Sequence, residues 1–225
     1  MQLDRDRQHS DLWVWVLQQA MNARVMGTGA VTDWWDNLAH YPALLLLRGA
    51  TMAAITAGHE DVIVRISQEP TWSSIFVQQG AERPAHEVLH LWSVLDDQIT
   101  THLPRWNGST YLYPSSRLVR AQLTPIATDL AGPDGMSRLL DRMEYRMALA
   151  NHLLRPGSTY YHGAAGGEYL GSWPWRNGED DHTAYTADFL ERGDKAAWGR
   201  SGDEDSEFVQ RVEQLDDRLR RIRRD

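Results

Sequence analysis

Apolar residues recur every three or four positions along most of the chain, and this spacing predicts helices. The first predicted helix follows the capping pair Ser10–Asp11 and runs from Leu12 to Val25. A second predicted helix begins at Pro42, a favourable first-turn residue, and ends at Gly58. Because the apolar residues of this second helix face nearly all round its axis, we expect it to be buried at the centre of the fold.

Residues 59–70 allow two interpretations. Val62, Val64 and Ile66 alternate with other residues as they would in a strand. The segment also follows Gly58 after a short break and closes at Pro70. We favour a helix that pairs with the preceding one as an αα-hairpin.

The same spacing continues in the second half of the chain. It predicts helices over 84–103, from Ser115 or Ser116 to about 130, over 139–154, over about 184–192 and over 208–222, with a break at the "GPDG" of 132–135. Strand signals are scarce. The predicted fold class is therefore all-α, a multi-helix array of αα-hairpins, of which a TPR-like array is one form, with a long Gly/Trp-rich loop.

The chain divides into a helical domain (1–154), a glycine- and aromatic-rich loop (155–181) and C-terminal helices (182–225) that we expect to pack on the same domain. Long irregular loops often carry function. Trp173, Trp175 and Arg176 in this loop are therefore candidate binding residues. Ten tryptophans stand against three phenylalanines, and we expect most of them to pack in the core, because they fall inside helical patterns.

Composition excludes several classes of protein. There are no cysteines, which rules out disulfides, cysteine-ligated zinc and thiol nucleophiles. The net charge of −8 does not favour nucleic-acid binding, which usually requires a basic surface. No apolar run approaches the roughly 18 residues of a membrane span, and the charged N-terminus does not resemble a secretory signal. We expect a cytoplasmic protein with no membrane segment.

The stretch "AHEVLHLW" contains His86-Glu87-Val88-Leu89-His90, which has the H-E-x-x-H spacing of zinc peptidases. Histidines four residues apart on a helix supply two zinc ligands, and the glutamate between them activates the metal-bound water. Asp96, six residues after His90, is the candidate third ligand. With Glu87 as the general base, these residues define the alternative function, a zinc-dependent metallopeptidase.

A helical wheel favours a different interpretation of this segment. If the predicted helix is continuous, Val88 and Trp92 lie on an apolar stripe, and His86 and His90 lie on the opposite, solvated face. Asp96 then lies well off the line of the two histidines, because each residue turns the helix by about 100°. We therefore predict surface histidines, no bound metal and no catalytic residue.

Several segments together resemble a known family. They are "YPALLLLRGATMAAITAG", "LHLWSVLDD", "LLDRMEYRMALA" and "GSWPWR". In this order they are similar to the helical region that follows the effector domain in some bacterial SIR2-domain and related P-loop ATPase antiphage-defence proteins. The likeness spans about residues 41–219 and rests mainly on hydrophobic packing patterns.

The resemblance implies a helical regulatory or partner-sensing module whose partner is an effector chain or domain, and it implies no catalytic residue. About 40 residues precede the match, so we expect this chain to lack the effector and to be an excised domain or a stand-alone partner. The favoured function is a non-enzymatic helical protein-interaction or sensing module without a cofactor. The zinc peptidase is the alternative.

Overall fold

The computed structural model describes residues 2–23, 37–73, 82–95, 99, 114–154, 179–198 and 205–222. The elements are α1 (Gln2–Asn22), α2 (Tyr41–Ala57), α3 (Glu60–Gln68), β1 (Thr71–Trp72), β2 (Arg83–Pro84), α4 (Ala85–Val88), α5 (Leu91–Val94), α6 (Pro114–Leu153), α7 (Glu179–Arg192), a 3-10 helix (Lys195–Trp198) and α8 (Asp205–Ile222). The two strands form one short antiparallel pair. The described chain is otherwise helical, which confirms the all-α class.

The central helix is α2, as its all-round apolar pattern predicts. Pro42 stands in its first turn, and Ala43, Leu44 and Leu47 have no exposed surface. The helix ends at Gly58, whose φ of 77° lies in the left-handed region that glycine adopts without strain. Among the described residues, one helix, Asn37–Ala57, is long and apolar enough to cross a membrane, and 56% of its apolar window is buried inside the fold. A core helix passes the same test.

The segment after Gly58 is the helix α3, which settles the choice between strand and helix. Ile63 and Ile66 are fully buried, and α3 packs against α2 as the predicted αα-hairpin. α1 packs on both helices and buries Leu17 and Met21. These three helices form one half of the core.

α6 is itself a hairpin. Nη1 of Arg120 lies 2.8 Å from Oδ1 of Asp141, although these residues would be about 30 Å apart along a straight helix. The chain reverses at Gly132, whose φ of 72° and ψ of 169° are essentially restricted to glycine. The predicted break at "GPDG" is therefore confirmed, and the two halves of α6 pack against α2.

The prediction of one helix over 84–103 is wrong in its described part. α4 and α5 are single helical turns separated by Leu89 and His90, whose backbones are not helical. The short strand pair before α4 was also missed, because two-residue strands leave no periodicity in the sequence.

The C-terminal helices lie against the rest of the core. α7 begins at Glu179, three residues inside the segment predicted as loop. Phe208, Val212 and Leu215 of α8 are buried, as their spacing predicts. Nη2 of Arg211 donates to the carbonyls of the last two residues of α6 at 3.0 and 2.8 Å. A cation at a helix C-terminus is the favourable arrangement.

Candidate functional site

His86 lies in α4, which is attached to the end of α3. The Ala85 N–H donates to the Pro70 carbonyl, and Nδ1 of His86 lies 2.9 Å from the Ser67 carbonyl oxygen. Because a carbonyl only accepts hydrogen bonds, Nδ1 is the donor. Ser67 is in the last turn of α3, where carbonyls have no partner within the helix. His86 is 2% exposed and caps α3 from inside the core, so the predicted solvent-facing position is wrong.

His90 has a separate role at the start of α5. Its backbone is extended, with φ −107° and ψ 160°, and its Nδ1 accepts a hydrogen bond from the Ser93 N–H at 3.1 Å. This is the geometry by which an N-cap side chain satisfies an unpaired helix donor. With Nδ1 accepting, the neutral ring carries its proton on Nε2, which contacts Oγ of Ser93. The ring is half-buried rather than on a solvated stripe.

The other members of the zinc hypothesis do not complete a site. Oε2 of Glu87 lies 3.6 Å from Nε of Arg83, and Arg83 also donates to the Glu87 carbonyl. Asp96 lies outside the described residues. Within the described ranges, no group of three or more His, Asp or Glu side chains is placed to hold a metal ion. The geometry of this segment therefore differs from a zinc-peptidase helix, in which two ring nitrogens direct lone pairs at one point.

We expect the purified chain to carry far less than one zinc per molecule and to unfold at the same temperature with and without a chelator. The reason is that His86 and His90 use their ring nitrogens to cap two different helices. Metal analysis and scanning calorimetry test this, with His59→Ala, a change at an exposed histidine, as the control. Stoichiometric zinc that is lost in His86→Ala and His90→Ala but kept in His59→Ala would contradict the assignment.

The candidate binding residues Trp173, Trp175 and Arg176 lie outside the described residues. The same holds for most of the 155–181 loop, of which only the last three residues fall within α7. Their proposed role in binding stays a prediction.

A buried ion pair that the sequence did not predict joins α3 to α6. Nε of Arg146 lies 2.8 and 3.1 Å from the two carboxylate oxygens of Glu60, and its Nη2 lies 2.8 Å from Oε1. The indole of Trp198 donates to the same carboxylate at 3.3 Å, and the Arg146 guanidinium lies 4.5 Å from the centre of the Phe189 ring. Four elements therefore meet at one satisfied charge pair. It stabilises the docking of the C-terminal elements on the core.

A second buried cluster lies where α2 crosses α6. Arg120 contacts Asp141 and Glu144 at 2.8 and 3.3 Å and so joins the two halves of α6. Arg48 is 2% exposed. Within the described residues, the one hydrogen bond that its guanidinium donates runs from Nη1 to Sδ of Met143, at 3.9 Å. Burial lowers the pKa of Arg48, and the charge of Glu144 opposes this. The two arginines balance the charge of the two carboxylates in this cluster. The cluster therefore stabilises the fold and does not favour the binding of a further ion.

A cleft of about 300 Å³ lies between the C-terminal end of α1 and the strand pair. Three of the polar residues that line it, Gln18, Thr71 and Glu82, are bonded to one another. The side-chain amide of Gln18 donates to the Thr71 carbonyl at 2.7 Å and accepts from the Thr71 N–H at 2.8 Å, and the Thr71 hydroxyl donates to Glu82. The arrangement fastens α1 to β1.

Among the described helices, α1 exposes the largest number of large apolar side chains. Leu12 is 55% exposed, Trp13 36% and Trp15 59%. The expectation that the tryptophans pack in the core is wrong for these two. Residues 12–17 are all apolar, and a helix can direct only one side of such a run into the core. That run was the sequence signal for an exposed apolar face.

No protein-family model, no curated protein and no solved structure matches this chain.

Proposed function

We propose that this chain is a non-enzymatic, helical protein-interaction module that binds a protein through the apolar outer face of α1. The observation that carries the proposal is the exposure of Leu12 and Trp15, which are 55% and 59% exposed on the same side of α1. Tryptophan is enriched at the centres of protein interfaces, where it contributes a large share of the binding energy. Exposed apolar surface of this kind marks contact sites on soluble proteins.

Core packing does not require apolar residues on the exposed face of α1. The opposite side of α1 carries the packing residues Leu17 and Met21, which are 2% exposed. Replacing Leu12 or Trp15 by a polar residue would therefore leave the core unchanged. Leu12 and Trp15, which lie about 60° apart around the helix, together present roughly 200 Å² of apolar surface, judged from the 150–250 Å² that a whole aromatic side chain buries. Two large apolar side chains side by side form a patch rather than a single scattered surface residue.

The resemblance to helical regions of bacterial defence proteins supports a cytoplasmic, regulatory role with an effector chain or domain as one partner class. The polar side chains of the zinc hypothesis already bond to other parts of the chain, which supports a non-enzymatic role. His86, His90 and Glu87 each stabilise a helix end or an ion pair.

Site-specific photo-crosslinking in cells that make the protein tests the proposal. A photoreactive amino acid at position 12 is expected to give a discrete covalent adduct with a protein, because this position lies at the centre of the exposed face. The matched control is position 126, where Ile126 is 44% exposed on α6. Mass spectrometry then identifies the attached chain.

An adduct formed at position 12 and absent at position 126 supports the proposal. Equal labelling at both positions, or no protein adduct at position 12, rejects it. An attached chain with a SIR2-like or P-loop ATPase domain would support the defence role as well.

A further inference from the structure

We draw no further inference here: the strongest candidate, the exposed apolar face that Leu12 and Trp15 form on α1, already carries the proposed function, and nothing in the part of the chain that the structure describes shows what covers it.

Discussion

Replacing Arg146 by methionine is expected to lower the free energy of unfolding by about 3–5 kcal/mol, the usual cost of removing one partner of a buried ion pair. Glu60 would remain 8% exposed with only the Trp198 indole as a described partner. The stacking of the guanidinium on Phe189 would also be lost. Urea unfolding followed by circular dichroism measures the effect.

Two comparisons make this prediction specific. Arg83→Met removes an arginine whose side chain is 46% exposed and whose ion pair with Glu87 spans 3.6 Å, and it is expected to cost less than about 1 kcal/mol. A double variant, Glu60→Gln with Arg146→Met, is expected to lose less than the sum of the two single losses, because the residues are in contact. An Arg146→Met chain as stable as Arg83→Met would contradict the role of the pair.

Gly193→Ala is expected to destabilise the chain by about 1–3 kcal/mol through overpacking. An added Cβ would lie 2.5 Å from Cδ2 of the Phe189 ring and 2.6 Å from the Phe189 carbonyl oxygen. Phe189 is fully buried and contacts Trp198 and Phe208, so neither atom can move without disturbing the C-terminal core. Thermal unfolding is expected to begin at a lower temperature.

Gly49→Ala is the matched control because it makes the same chemical change in the middle of α2. There the added Cβ would meet Cδ1 of Ile126 at 4.0 Å, an ordinary contact. Alanine is the better helix former, so this variant is expected to gain about 0.5–1 kcal/mol. Changes of the same sign in both variants would show that packing at Phe189 is not the cause.

The long periodic elements could be predicted from the sequence, since their signals are local. Four signals depend on residues close together in the chain. They are the all-round apolar pattern of α2, the hairpin at Gly58, the break at Gly132 and the apolar spacing of α8. The all-α class follows from them.

The histidine segment could not be predicted in the same way, because tertiary bonds decide its shape. A continuous helix over 84–103 satisfies local spacing. The bond of His86 to Ser67 and the cap that His90 forms on α5 replace it with two short turns. A helical wheel drawn on the sequence therefore placed His86 and His90 wrongly in solvent.

The buried charges were missed because their partners are far apart in sequence. Glu60 and Arg146 are separated by 86 positions, and each looks like a surface residue in its own segment. The exposed tryptophans of α1 were missed for the opposite reason. The run of six apolar residues at 12–17 predicts burial of its tryptophans, although a helix can bury only one side of such a run.

The measurement that tests the central claim most directly is the in-cell photo-crosslink at position 12 compared with position 126. The account predicts a single protein adduct at position 12, with none at position 126, since the face of Leu12 and Trp15 is the binding surface. Absence of an adduct at position 12, or equal labelling at the two positions, would contradict it.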